Sequence, residues 1–326
     1  ALHVLCVWVT SVLASRCAVA VLGLAWELTR SLAWSAFALA LFVLTPASYR
    51  TIGFVLVNED LSLPLVVAHL WLLARAARVR TGVSFAWAGL ALGGALATWH
   101  AMSFFVTLEA GVVLFVFLVS GENPFRVRRS GLVLLGAAIC ALVVPALRAK
   151  LTLFSPLFAI GSACWLSACL GRTRTPRRER ATALALLAIL LLAGAWLPRP
   201  WSSERGDFSH VFEVLVAKLV HLGRFPSDPS TLSFEARLLW QGPFEGLFVA
   251  GAFEVFQCTL LSGVPALLYF LGRGLRDRAS TLDLHLALLG ALTLFATWLV
   301  SRVSVFASPL LAVLGASCAR QLVGEG

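Results

Sequence analysis

Residues 102–119 read MSFFVTLEAGVVLFVFLV, eighteen residues with a single charge at Glu109. As a helix rising 1.5 Å per residue, this run spans about 27 Å, close to the hydrocarbon thickness of a bilayer. Its apolar residues do not alternate with polar ones, so a barrel strand is excluded and a membrane-crossing helix is predicted. The same texture recurs outward from this run in both directions. Candidate spans fall at about 3–25, 31–47, 60–75, 83–98, 102–119, 130–147, 151–170, 181–197, 246–271, 281–300 and 303–319. The expected fold is therefore all-α, a polytopic transmembrane helix bundle of about 11 spans. The chain is 60% hydrophobic and 13% charged, against about a quarter charged in soluble domains. Its mean hydropathy is +0.90.

The formal net charge of +10 does not indicate nucleic acid. The basic residues sit in short clusters between apolar runs, with no basic domain and no aromatic–basic stripe. Such clusters report orientation instead. Arg30, Arg75, Arg78, Arg80, Arg126, Arg128, Arg129, Arg172, Arg174, Arg177, Arg178, Arg180, Arg273, Arg276, Arg278 and Arg320 fall in one set of loops, 16 of the 26 Lys and Arg. The alternate loops hold nine, of which five lie in one long loop that counts little towards orientation. The first set is read as cytoplasmic. Residues 48–60 and the long 198–245 loop then face outward, and a bacterial inner membrane is the expected setting. Three regions follow: bundle residues 1–197, the external loop 198–245, and bundle residues 246–326.

The external loop is too rich in Trp, Phe and Leu to be a disordered linker. Asp207–Leu222 reads as an amphipathic helix, ended before Pro226 and Pro229, and Ser233–Trp240 as a second short one. The chain opens at Ala1, already apolar and without the basic leader of a signal peptide, which reads as a fragment with a segment missing upstream. None of the seven cysteines forms a CxxC pair, so neither a disulfide framework nor a zinc site is indicated.

A few residues carry candidate chemistry. Asn58-Glu59-Asp60 opens a span at its outer end. Two readings stand. Acids at a helix N-terminus favour the macrodipole, and adjacent carboxylates also suit Mg²⁺ or Mn²⁺ or a base that activates an acceptor. Arg302, between two apolar runs, either snorkels to the interface or binds an anion such as phosphate. The external loop offers His210, Glu213, Lys218, His221, Arg237 and Trp240. Glu109 and Glu254 are intramembrane acids and so functional candidates in their own right.

In three places the chain resembles the GT-C superfamily of polyprenyl-linked-sugar glycosyltransferases. It is most similar to oligosaccharyltransferase catalytic subunits and tryptophan C-mannosyltransferases. Thr45-Pro46, Arg50-Thr51-Ile52-Gly53 and Asn58-Glu59-Asp60 look like the family's second external loop, where a short acidic motif follows an R-S/T-x-G turn. Gly89–Glu109 looks like the paired helices joined at a Trp-containing turn. Ser301-Arg302-Val303-Ser304-Val305-Phe306 with Pro309 is similar to the late R-F-x-x-(Y/F)-x-x-P segment. The acidic motif departs from the usual D-N-E or D-x-(D/E), and there is no W-W-D motif. The latter argues against a complete oligosaccharyltransferase subunit.

The resemblance implies a membrane glycosyltransferase that moves a sugar from a polyprenyl phosphate or diphosphate to an acceptor outside the cytoplasm. It implies Glu59 and Asp60 as catalytic and metal-binding residues, with Mg²⁺ or Mn²⁺, and Arg302 on the donor phosphate. Asn58, Arg50, His210, Lys218, Arg237 and Trp240 are the expected substrate contacts. It also implies a further helix and an external loop with an Asp upstream of Ala1. The alternatives are a multi-pass transporter or lipid flippase using Glu109 and Glu254, and a structural membrane subunit.

Overall fold

A computed structural model describes residues 2–51, 58–99, 102–122, 128–170, 175–196, 209–221, 223–238, 240, 246–247, 249–276 and 280–324. All regular structure among the described residues is helical, with no strand among them. The first part of the bundle comprises α1 (Leu2–Thr29), α2 (Leu32–Leu44), α3 (Asn58–Val79), α4 (Gly82–Thr98), α5 (Met102–Ser120), α6 (Gly131–Val143), α7 (Pro145–Ala149), α8 (Pro156–Leu170) and α9 (Pro176–Trp196). The long loop carries α10 (Ser209–Val220) and α11 (Phe234–Leu238), where the amphipathic pattern predicts two helices. The bundle then resumes with α12 (Val249–Phe256), α13 (Cys258–Leu275), α14 (Thr281–Leu299) and α15 (Ser304–Val323).

Five segments are long and apolar enough to cross a membrane, namely Asp60–Val79, Met102–Ser120, Cys258–Leu275, Thr281–Leu299 and Ser301–Val323. Leu32–Leu44, Gly82–Thr98, Gly131–Val143 and Pro156–Leu170 are apolar but shorter. The chain is an integral membrane protein on this ground. Two expected spans are each divided. The run 130–147 breaks at Val144, whose backbone is extended, because a residue before proline is pushed out of the helical region. The run 246–271 breaks at Gln257, held at φ +46°, a conformation that side chains other than glycine's adopt at a cost. Beyond that break, Thr259 donates to the Leu41 carbonyl at 3.0 Å and bonds Thr45, tying the start of α13 to the end of α2.

The core is organised around α15. Every residue from Ser304 to Cys318 is buried, as expected for a helix that is apolar on all sides and ringed by others. It packs against α1, α2, α13 and α14. Close approach elsewhere depends on small residues, as membrane interfaces commonly do. A Cβ built at Gly89 would stand 2.1 Å from the Val133 carbonyl oxygen, so α4 and α6 touch backbone to backbone there.

The ends of the bundle differ in chemistry. At one end the buried Glu27 carboxylate accepts from Arg78 Nε at 2.8 Å and from Arg30, and Arg273 donates to Tyr269 at 3.0 Å and to Gln321. These arginines all belong to the majority set. The opposite end gathers Thr45, Thr259, Trp99, Lys218 and Arg302. Lys218 and Arg302 belong to the minority set.

Candidate functional site

The second end holds the residues singled out in the sequence. Asp60 sits in the first turn of α3, 1% exposed, and Ser62 and Leu63 beside it are fully buried. A carboxylate at a helix N-terminus gains from the macrodipole, so burial there is less costly than elsewhere. The Pro46–Thr51 turn, which contains Arg50, packs against α15, α12 and α2. The side chains of Arg50, Asn58, Glu59 and His210 lie outside the described residues. Among the described residues, no group of three or more His, Cys, Asp or Glu is arranged to hold a metal ion. Asp60 supplies a hard carboxylate ligand of the kind Mg²⁺ takes, often with only one or two carboxylates from the protein.

Arg302 lies in the one-turn 3-10 helix Ser301–Val303, between α14 and α15. It is partly buried, and its guanidinium carbon lies 5.1 Å from the centre of the Trp99 ring. Trp99 in turn stacks on Phe306 at 6.0 Å, and Phe306 meets Phe105 at 5.0 Å. The sequence flagged Arg302 and the Trp99 turn separately, and the fold joins them. A cation over an aromatic face is attracted by the ring's electrons, which holds the guanidinium in place while N–H groups not aimed at the ring can still donate. That arrangement orients a fork suited to a phosphate or carboxylate.

The long loop docks on the end of α14. The last carbonyls of a helix lack intrahelical partners and carry the negative end of its dipole. Leu247 donates its N–H to the Trp298 carbonyl at 3.1 Å. Lys218, 0% exposed, donates to the Leu299 carbonyl at 3.1 Å and to the Trp240 carbonyl at 3.4 Å, with its ammonium 5.1 Å from the Trp240 ring. Trp240, 4% exposed, joins Val214, Leu232 and Ala236 in a small core of the loop's own. It also meets Phe225 edge-on at 5.6 Å. Of the loop residues expected to touch substrate, Lys218 and Trp240 are thus placed where they hold the loop together, whereas Arg237 is exposed. Ser233 donates to Glu213 at 3.0 Å across the two loop helices. Asp228 caps the Pro229–Thr231 turn by accepting from the Ser230 N–H at 2.9 Å, and hydrogen bonds from the Ser230 side chain and then its backbone hold the carboxyl below the usual range.

An apolar groove of about 420 Å³ runs between α5 and α14. Phe104, Leu108, Gly111, Phe115, Leu288 and Leu292 line it. A Cβ at Gly111 would meet nothing within 4 Å, so the groove is open at that point. Sequence reasoning missed it, because each lining residue reads alone as an ordinary apolar helix position.

No protein-family model matches the chain, and no curated protein matches it in sequence. Solved structures do match it. The Archaeoglobus fulgidus oligosaccharyltransferase in its apo form superposes with a TM-score of 0.74 at 13% identity, over 99% of this chain. The archaeal oligosaccharyltransferase AglB from Archaeoglobus fulgidus, in complex with an inhibitory peptide and a dolichol-phosphate, gives 0.72 at 15% identity over 99% of this chain. The complex of the Archaeoglobus fulgidus enzyme with zinc and sulfate gives 0.54 at 14% identity over 98% of the chain. The chain spans 40% of the length of the first two of these structures and 37% of the third. The chain shares its fold with that part of the archaeal oligosaccharyltransferase.

Proposed function

We propose that the chain is the membrane portion of a glycosyltransferase with about eleven spans, which transfers a sugar from a polyprenyl-linked donor to an extracytoplasmic acceptor. The observation that carries this reading is the placement of Arg302 on Trp99, in a bundle that also has an apolar groove between α5 and α14. A lipid-linked sugar needs a cationic fork at the interface for its phosphate and an apolar channel leading inward for its chain. The fold likeness to a protein solved with dolichol-phosphate and an inhibitory peptide points the same way.

In the proposed reaction the acceptor nucleophile attacks the anomeric carbon and forms the new glycosidic bond. The bond from that carbon to the phosphate oxygen breaks, and the lipid phosphate or diphosphate leaves with the electron pair. Glu59 or Asp60 accepts the proton that the acceptor loses. Arg302 donates to the phosphate oxygens as charge builds on them, which is stabilisation placed where charge develops. Glu59 and Asp60 would hold Mg²⁺ or Mn²⁺ together with ligands from outside the described residues, and the ion would supply Lewis-acid stabilisation of the leaving group. Arg50, Asn58, His210, Lys218, Arg237 and Trp240 remain the proposed contacts to donor or acceptor, and Lys218 and Trp240 also hold the loop together. A transporter using Glu109 and Glu254 has less support, because Glu254 is exposed on α12 while Glu109 is buried.

Donor kinetics of the full-length protein test this reading. Arg302→Ala is expected to raise the donor KM about tenfold, the worth of one charge-assisted hydrogen bond, and Arg302→Lys by less. If Arg302 only snorkels, Arg302→Lys is neutral. Gly111→Leu places a side chain in the groove, starting from a Cβ that meets nothing within 4 Å, and is expected to weaken use of long-chain donors more than short-chain ones. Equal KM for both chain lengths in that variant would remove the groove from the donor site.

A further inference from the structure

Inside the bundle, away from the end just described, three ionisable side chains from three helices meet. His69 comes from α3, Glu109 from α5 and His285 from α14. All three are buried. Glu109 lies seven residues along α5 from Met102, or about 10 Å below that end, and His69 lies deeper still along α3. The groups that act electrostatically on Glu109 are the two histidines, and among the described residues no further titratable side chain faces the cluster from α3, α4, α5 or α14.

The hydrogen-bond geometry fixes how many protons the cluster holds. His69 Nδ1 lies 2.8 Å from the Ala88 carbonyl oxygen on α4. A carbonyl can only accept, so Nδ1 carries a hydrogen. His69 Nε2 lies 3.0 Å from Glu109 Oε1. If Glu109 is ionised it too can only accept, so Nε2 must also carry a hydrogen and the ring is an imidazolium. If the ring is neutral, Nε2 presents a lone pair and Glu109 must be a carboxylic acid that donates. A neutral ring beside an ionised carboxylate would set two lone pairs against each other at 3.0 Å. The pair is therefore satisfied only when it holds one proton more than free histidine and glutamate carry together at neutral pH.

A second acceptor stands beside that proton. His285 Nε2 is 3.9 Å from the same carboxylate oxygen, and both His285 Nε2 and Glu109 Oε2 are buried without a hydrogen-bond partner among the described residues. Unpartnered polar atoms at this depth are costly and uncommon. A mobile proton accounts for them, since each is an atom to which it could move. An intramembrane cluster that is neutral overall also avoids burying an uncompensated charge.

We propose that His69, Glu109 and His285 form a proton-binding site in the membrane interior, with one proton held between His69 Nε2 and Glu109 Oε1 and with His285 Nε2 as its second acceptor. The site takes a proton as its ligand.

Solid-state NMR on the full-length protein in lipid, labelled at histidine nitrogen and glutamate carboxyl carbon, tests it at about neutral pH. The expected spectrum shows either an imidazolium at His69 or a carboxylic acid at Glu109. His69→Gln identifies the first signal by its loss, and Glu109→Gln identifies the second. The amide introduced by Glu109→Gln can donate to His69 Nε2 without an added proton, so His69 is expected to be a neutral Nδ1–H ring in that variant. Either variant alone suffices for the assignment, because a protonated glutamate is distinct from all ionised ones at this pH. An imidazolium at His285 instead is the same proton on its second acceptor, whereas a wild-type protein in which His69 and His285 are both neutral and Glu109 is ionised overturns the proposal.

Discussion

Glu59→Gln combined with Asp60→Asn is expected to lower sugar transfer by about 10- to 100-fold in the full-length protein, with folding unchanged. The substitution keeps side-chain shape and hydrogen-bonding atoms while removing both charges. Asp60 is 1% exposed in the first turn of α3, so its carboxylate is committed to something other than solvent. If the acids serve only the helix dipole, their loss costs roughly 0.3–1 kcal/mol each in stability and leaves turnover intact. If they take the acceptor proton or hold a cation, turnover falls and stability holds. Parallel measurement of transfer rate and thermal unfolding separates the two, and near-normal turnover in the double variant removes the acids from the chemistry.

Lys218→Met is expected to release the external loop. The methionine keeps most of the stem volume but cannot reach the Leu299 and Trp240 carbonyls, which Lys218 holds at 3.1 and 3.4 Å. Hydrogen bonds from a charged donor contribute roughly 1.5–3 kcal/mol each, so losing both removes about 3 kcal/mol or more. The docked population then falls about 100-fold relative to the open one, and limited proteolysis between α10 and α11 speeds up in proportion. Unchanged cleavage would mean that the loop's own core around Trp240 and the Leu247 N–H bond to Trp298 hold it without the ammonium.

The sequence made the helices legible because each one's apolar content is continuous and long. The run at 102–119 became α5 at Met102–Ser120, and 281–300 became α14 at Thr281–Leu299. What hydropathy could not show is where backbone geometry interrupts a run. Gln257 breaks 246–271 by a positive φ, and nothing in its side chain announces that. Pro145 does announce the break at Val144, through the rule that a residue before proline leaves the helix.

For the site, the sequence identified individual residues and missed their partners. Arg302 and Trp99 are about two hundred positions apart, and only the packing of α14, α15 and α5 brings them together. Lys218 read as a polar residue on an amphipathic face, yet it is the buried peg of the loop. Glu109 stood out as an acid in an apolar run, but His69 and His285 drew no attention. The available signal was the rule that any ionisable residue within a span needs a partner, applied to all three at once. Which helices would supply those partners depends on tertiary packing, and one sequence does not encode that in any local pattern.

The most direct measurement is transfer itself. The full-length protein, reconstituted in vesicles, is given a polyprenyl-linked donor radiolabelled in the sugar, and the label is followed in the lipid and aqueous phases with candidate acceptors present. The expected result is that the label leaves the lipid and becomes covalently attached to an acceptor, releasing polyprenyl phosphate, at a rate that falls in the Glu59→Gln, Asp60→Asn variant. Label that crosses the bilayer while still attached to its lipid, with no sugar transferred, would contradict the glycosyltransferase assignment and establish a flippase in its place.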